Sequence, residues 1–508
     1  MENKTENNTK ANNDTRLAKI LHVDGDNFFV ACELARFPHL KGRPVIVGEE
    51  RGIASAMSYE AKKLGVHRGM PVFEIREKFP QVIILPSHFE LYEQYAEKLY
   101  TVLCKYSDKV ERYSIDECFA LISLGDIKAH NSHDATNTES STHESSKSFL
   151  EIIKEEAELC LGITLSFGLA DTKTLAKIGS KYDKPSGCVT INESDRIRFL
   201  KETEIGKVWG IGRAISAELT SYNIRTAFDF INLDRAFVQK NFGEGTLTTW
   251  SELRGERCIG LNTESRIPKS LQSTRSFGKS FNIFSTQLNN GALQAPKERS
   301  FFLSELSNHA ESLCARLRIH RLSTNRISFF LKKNTLSNRY ISREVQIGFY
   351  TNNASDLCKA IYKECENIFN ELDNEILGVG VYNTNNSGLF GWSTHSRPQH
   401  SQPQHHNQAP CKTLQNFGFK IKSTGISVYQ LRPLETVQDD LFAVQSTLDN
   451  KSQYTEVIDS LRRRLGDDSV YLCSSLESKK RRDEIFQKRN LKNKFIYGLP
   501  LPYMGEVI

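Results

Sequence analysis

Residues 112–123 read RYSIDECFALIS, and the adjacent acids Asp116 and Glu117 within them decide the reading of the fold. A β-rich run, KVERYSIDE, leads into the pair, and CFALIS leads away as its hairpin partner. Carboxylates beside core strands are costly to bury unless they are paired or bound to a metal. A third acid stands upstream: residues 17–24 read as a buried strand ending on Asp24, and the turn HVDGDNFF (22–29) follows. If the two strands are neighbours, three carboxylates converge at one sheet edge. Such a cluster repels itself and raises its own pKa values unless divalent cations neutralise it. Hard oxygen donors of this kind suit Mg²⁺, and two such ions can clamp an in-line phosphoryl displacement. D-x-D and D-E pairs also occur on solvated turns, and spacing alone does not make two strands adjacent.

Working outward, KGRPVIVGEE (41–50) reads as a second strand, and residues 53–66 run into a helix. Leu91, Tyr95, Leu99 and Val102 recur at helical spacing within 88–107. A helix (149–160), a strand (163–170) and a Lys-rich helix (172–187) follow. Residues 208–230 read as helix–turn–helix with Gly210-Ile211-Gly212 at the bend, and helix continues to about 255. Beyond GERCIGLNTESRIPKS, a strand (270–281), a helix (297–320), two strands (326–334, 340–349) and a helix (354–372) alternate. The strand 419–431 completes that sheet, with 376–382 competing for the place.

A chain of 508 residues is too long for one ordinary core, so several domains are expected. The net charge is only +6, but residues 266–350 hold fourteen Lys/Arg against four Asp/Glu. A basic domain on a near-neutral chain suggests a polyanionic partner, or else a solvated basic face. Residues 1–16 are polar and Asn-rich, without the apolar core of a signal peptide, and no apolar run reaches the length of a membrane span. A cytoplasmic protein with a loose N-terminal tail is expected. The tracts 125–148 and about 383–416 are polar and poor in apolar residues, and read as disordered insertions. Their histidines are compositional rather than a metal site. The eleven cysteines form no CxxC pair and read as reduced thiols with packing roles.

The pieces HVDGDNFFVACE (22–33), KGRPVIVG (41–48), SAMSYEAKKLGV (55–66), YSIDE (113–117), SFGLADTKTLAKIGSKYDKPSG (166–187) and VWGIG (208–212) occur in one order. In that order they resemble the Y-family (translesion) DNA polymerases of the bacterial DinB/UmuC kind, over roughly residues 17–430. The resemblance implies a multidomain α/β (α+β) right hand. Its parts are a palm with fingers over 17–206 (fingers about 36–90), a thumb with a helix-hairpin-helix over 207–255 and a linker over 256–268. A little finger with a four-stranded sheet and two helices spans 269–431, and a tail spans 432–508. Asp24, Asp116 and Glu117, with the Gly25 carbonyl, would hold two Mg²⁺ ions, Glu117 being nearest the attacking primer hydroxyl. Asp26 would stand behind them. Phe29 falls at the steric gate, with Phe28 in the core; Tyr59, Lys62 and Lys184 match positions that touch the triphosphate. The family often carries Arg where Lys62 stands, so bidentate clamping is lost there.

Glycines at a helix-hairpin-helix bend let backbone N–H groups approach a phosphate, which places Gly210 and Gly212 against DNA. Lys269, Arg275, Lys279, Arg326, Lys332 and Lys333 are the expected phosphate neighbours of the basic domain. Gln438, Leu441 and Phe442 in ETVQDDLFAV (435–444) resemble the peptide by which bacterial polymerases dock on the sliding clamp. The basic runs RRRLG (462–466) and SKKRR (478–482) read as solvated surface or, second, as extra DNA contacts. The expected partners are primer-template DNA, deoxynucleoside triphosphates and the clamp, for a monomer; accessory subunits stay open. The expected activity is template-directed DNA synthesis across damage. Two other readings are a catalytically inactive scaffold on the clamp, which the presence of all three acids opposes, and a palm-type nucleotidyl cyclase, which needs no thumb or DNA-gripping domain.

Overall fold

The computed structural model describes residues 18–123, 148–263, 267–283, 286–287, 293–294, 296–333, 340–377, 420–434, 446–465, 469–481 and 484. The N-terminal tail 1–16, the tract 125–147 and the insertion 383–416 lie outside them. The chain divides into two units between Ser265 and Arg266, inside the expected linker.

The first unit is built on β1 (Ala18–Gly25), whose AKILHVDG run is buried along almost its whole length. Such a strand needs neighbours on both edges and cover on both faces. It lies central in a five-stranded sheet ordered β5 (Val110–Arg112), β6 (Glu117–Ser123), β1, β7 (Leu165–Ala170), β8 (Cys188–Thr190). β1 runs antiparallel to β6 in a register from Ala18 opposite Ser123 to Asp24 opposite Glu117. β5 ends at Arg112, earlier than the sequence suggests, so residues 113–116 form the turn and Glu117 opens β6. β8 at the far edge escapes the sequence reading altogether.

Alternation along β1 sends Leu21 and Val23 to one face and Ile20 to the other. The first face packs on α1 (Phe28–Arg36), α4 (Phe89–Cys104) and α5 (Phe149–Leu161). α5 starts on a capping box, in which Ser148 accepts from Glu151 N–H and the Glu151 carboxylate accepts from Ser148 N–H. The second face packs on α6 (Lys173–Tyr182), α7 (Glu193–Glu202), α8 (Arg213–Ser221), α9 (Ala227–Ile231) and α10 (Arg235–Leu253). At Gly168 of β7 a Cβ would collide with the Ala176 carbonyl and the Ser180 amide of α6, so glycine lets that helix settle directly on the strand. A separate three-stranded sheet, β3 (Ala56–Met57), β2 (Val45–Val47), β4 (Ile83–Leu85), carries its own small core with α2 (Tyr59–Lys63) and α3 (Val72–Lys78). The first half of the linker is tied to this unit: Cys258 and Ile259 N–H donate to buried Glu252, and Asn262 N–H donates to Glu111.

The second unit carries an antiparallel sheet ordered β13 (Tyr340–Thr351), β12 (Leu322–Lys333), β14 (Lys420–Tyr429), β9 (Leu271–Asn282). β10 (Thr286–Gln287) and β11 (Leu293–Gln294) form a separate two-residue ladder. Helices α11 (Glu298–Ile319) and α12 (Ala354–Leu377) share one core with the sheet. The strand expected near 419–431 does complete the sheet, between β12 and β9.

The region past 432, where the sequence carries small helix and strand signals, is packed onto the second unit in its described part. β15 (Arg432–Pro433) pairs with β12, and α13 (Ser446–Leu465) is clipped to α11 by the two-pronged pair of Arg318 with Asp459. Buried Glu311 of α11 accepts from Arg462, from Ser475 and from Leu472 N–H. Arg462 of the RRRLG run is therefore a structural cation rather than a solvated one. Among the described residues, no helix is long and apolar enough to cross a membrane.

Candidate active site

The sheet register brings the three acids together. Asp24 ends β1 directly across from Glu117, and the Gly25 amide donates to the Asp116 carbonyl at 2.9 Å. The sharp turn from β1 into α1 places Asn27 in the left-handed region (φ 47°) and folds Asp26 inward. There the Asp26 carboxylate, 2% exposed, accepts from Ser166 Oγ at 2.8 Å and from Ser186 N–H at 2.7 Å.

Each acid of the trio already has its own partner. Lys184 is ion-paired with Asp24 and lies 3.3 Å from Asp26. Lys177 of α6 lies 2.6 Å from Glu117 Oε2, and Ser114 donates to Asp116. Among the described residues, no three Asp, Glu, His or Cys groups converge closely enough to enclose an ion as they stand. Burial pushes the Asp24 carboxyl up to about 6 despite Lys184, with Glu117 adding to the rise. Burial also acts to raise Glu117, but His22 and Lys177 outweigh it and hold that carboxyl well below the usual range. His22 Nε2 stands 3.9 Å from Glu117, beyond hydrogen-bond reach, so Lys177 is the stronger hold. Burial pushes His22 itself down to about 4, and its Nδ1 lies 2.6 Å from Ser180 Oγ.

Lys177 is a residue the sequence reading missed. Its side chain is 6% exposed, 4.4 Å from the Tyr113 ring and 5.5 Å from the Trp209 ring, and Trp209 Nε1 donates to Tyr113 at 3.0 Å. The signal was available: Lys173, Lys177 and Lys181 recur at i, i+4, i+8 on one helix. Lysines almost never bury without partners, and here Lys173 pairs with Glu111 and Lys177 with Glu117. Burial, with Lys177 beside it, lowers the Lys181 ammonium below its ordinary value.

Phe28 is buried, and Phe29 is only partly so, its ring stacked on Tyr92 at 4.5 Å and 14°. Tyr59 opens α2, where Ser58 caps the helix. Burial and the nearby Asp26 and Asp24 carboxylates raise the Tyr59 hydroxyl far above its ordinary value, so it stays a donor. Lys62 is exposed one turn further along the same helix. At the expected hairpin, Gly210 has φ +92°, and a Cβ there would collide with Thr249 Oγ1; Gly212 caps α8.

In the second unit, strand alternation sorts the expected DNA contacts. Ile327, Phe329 and Leu331 of β12 are buried in the core, so Arg326, Ser328, Phe330 and Lys332 occupy the opposite face. Arg326 is ion-paired there with Glu344. Lys269 is exposed just before β9. Lys279 and Lys333 lie on strands, and their side chains fall outside the description. Arg275 is a correction: it sits on the helix side of β9, 2.7 Å from the fully buried carboxylate of Glu305 on α11. Arg343 likewise turns to Glu371 of α12 at 2.9 Å. The outward face carries mainly hydroxyls and small residues, among them Thr274, Ser276, Ser328, Ser342, Gly425 and Ser427. Gln438, Leu441 and Phe442 lie outside the described residues.

Comparison with known proteins bears on this arrangement. The profile of the impB/mucB/samB family matches residues 23–181, and that of the family's C-terminal domain matches 298–389. The chain is 31% identical over 271 residues to DNA polymerase IV of Neisseria meningitidis serogroup B (strain ATCC BAA-335 / MC58), covering 51% of this chain and 81% of the relative. It is 26% identical over 366 residues to DNA polymerase IV of Ureaplasma parvum serovar 3, covering 71% of this chain and 93% of the relative. A solved Y-family DNA polymerase chimera shares the fold at 19% identity and a TM-score of 0.54, over 81% of this chain and 98% of its own. With three acids gathered at the β1–β6 edge and relatives that are DNA polymerase IV, the chain belongs to the Y-family of DNA polymerases, as a translesion-type, DNA-directed DNA polymerase of the DinB/UmuC kind.

Proposed function

We propose that this polymerase joins a deoxynucleotide to a primer 3′-hydroxyl at the β1–β6 edge, through Asp24, Asp116 and Glu117. The observation that carries the reading is the register of Asp24 opposite Glu117, with Asp116 bonded to Gly25 through the backbone. The donors suit two Mg²⁺ ions: the carboxylates and the Gly25 carbonyl are hard oxygens, and ammonium groups now sit where cationic charge is needed. When bound, such a pair supplies charge at the attacking and leaving oxygens. The chain's own residues do the rest. Lys184 moves from Asp24 to the triphosphate, exchanging one anion for another as the nucleotide arrives. Asp116 leaves Ser114 and turns toward Asp24. Lys177 keeps Glu117 ionised, so that its carboxylate stands as an anionic oxygen donor beside the primer hydroxyl. Asp26, held by Ser166 and Ser186, fixes the turn beneath Asp24. Tyr59 and Lys62 meet the phosphates from α2, and Phe29 leaves no room for a sugar 2′-hydroxyl.

DNA is held by Gly210 and Gly212 at the bend before α8, and by Lys269, Arg326 and Lys332 on the second unit, with Lys279 and Lys333 as further candidates. Contacts of this kind grip phosphate without reading sequence. The QDDLF stretch docks on the sliding clamp through Leu441 and Phe442, apolar anchors suited to a preformed pocket. Primer extension with Mg²⁺ tests the central reading. Asp116→Ala abolishes extension while primer-template binding persists; normal extension by that variant removes the assignment.

A further inference from the structure

Beneath Phe29 lies a buried acid that the chemistry above does not use. Glu33 of α1 is fully buried, and its Oε1 accepts from Tyr92 Oη at 2.7 Å and faces His88 Nδ1 at 2.7 Å. Arg36 Nη1 lies 3.7 Å from its other oxygen. Tyr92 donates to one oxygen and the Arg36 guanidinium stands beside the other, as a buried acid requires, since one without partners is expensive.

Phe29 and Glu33 are four residues apart on α1, so they share one helix face. Across from them, Phe89 and Tyr92 of α4 are three apart. Tyr92 stacks on Phe29 at 4.5 Å, and Phe89 meets both rings edge-on at 5.6 Å. Arg51 caps the stack over the Phe89 ring at 4.6 Å. The Phe29 ring thus rests on a packed floor whose ring tip is tied by one hydrogen bond, Tyr92 to Glu33. Burial and the Glu33 charge keep the Tyr92 proton in place at any working pH.

We propose that Glu33 and Tyr92 are positioning residues that set sugar selectivity: they hold Phe29 at the height where a deoxyribose fits and a ribose does not. This rests on the reading of Phe29 as the steric gate. A stacked ring resists tilting only while its partner is fixed. Tyr92 has no covalent tie near its ring tip, so the hydroxyl bond supplies the second point of attachment. A gate that tilts by a few tenths of an ångström admits a 2′-oxygen without losing any catalytic group.

The test measures kcat and KM for a deoxynucleotide and the matching ribonucleotide on one primer-template, in the full chain. Tyr92→Phe keeps the ring and removes the tie. Its discrimination is expected to fall by about tenfold, through a lower ribonucleotide KM rather than a changed deoxynucleotide kcat/KM. Glu33→Gln keeps an acceptor oxygen and is expected to fall between the parent and Tyr92→Phe. Phe29→Ala serves as the reference and is expected to lose most of the discrimination. If Phe29→Ala collapses selectivity while Tyr92→Phe stays within about twofold of the parent, the positioning role is overturned and the gate stands. If Phe29→Ala itself leaves selectivity intact, the gate reading fails and the proposal falls with it.

Discussion

The five-stranded sheet of the first unit and the large sheet domain of the second treat charge in opposite ways. At the end of β1 and β6, acids are gathered at one edge and answered by lysines from α6 and the segment after it. In the second unit, charge is dispersed: Arg275, Arg299, Arg318 and Arg343 each pair with an acid on a helix. The strand ends hold neighbouring acids because a separate lysine answers Asp24 and Glu117 in turn. A sheet face packed on helices must pair every charge within the protein. The lesson is that a surplus of basic residues does not locate a DNA surface. Among the described strand residues, Arg275 and Arg343 turn to the helices while Arg326 and Lys332 face outward, and the strand's two-residue period does the dividing.

The largest effect that would break the comparison is at the edge. Asp116→Ala should lower extension by about a thousandfold or more, since each group acts on charge developing in the reaction. A loss below about tenfold would mean that the gathered acids are structural, like the pairs in the second unit.

Next is Arg275→Ala. It strands the fully buried Glu305 carboxylate and should destabilise the second unit by about 3 kcal/mol. Denaturant melts of the full chain, with hydrogen exchange in β9 and α11, read this out. Unchanged exchange protection together with a weaker salt dependence of DNA binding would return Arg275 to the DNA surface.

A smaller effect concerns His309 of α11, buried against Ser273 Oγ at 2.8 Å. Burial, with Arg275 nearby, pushes this imidazole down to about 4. The unfolded chain takes up the proton near pH 6.5 and the folded one does not, so stability is complete above 6.5 and is lost as pH falls toward 4. The expected loss is about 2 kcal/mol at pH 5. Exchange protection in β9 at pH 7 and pH 5 measures it, and His309→Gln should flatten the dependence. An equally steep dependence in that variant would assign the loss to other groups.

The smallest effect is at Lys332, on the outward face of β12. Lys332→Ala should leave the melt unchanged and reduce the slope of log K against log salt by about one. A destabilised second unit with an unaltered slope would place Lys332 with the structural cations.

Much of the first unit is legible in the chain alone, because its key residues lie in local patterns. Asp24 ends an apolar run, Glu117 opens another, and Phe28 and Phe29 follow a tight turn. The extra strand β8 escaped because three residues are too few to show a period. Past 432 the chain shows helix and strand signals but not their packing, because α13 is held by long-range pairs, Arg318 with Asp459 and Arg462 with Glu311. Lys177 stood in plain view within a lysine repeat and was missed because lysines ordinarily face water.

By itself, the order of residues determined where strands and helices run, which acids sit at strand ends and which family these features match, since each depends on neighbours a few positions apart. Only the tertiary structure decided that Asp24 faces Glu117, that Lys177 and Lys184 answer them, that Arg275 turns inward and that Glu33 anchors Tyr92. Those pairings join residues 30 to 160 positions apart. They follow from register and burial, which arise only when the whole chain has packed and each buried charge has found its partner.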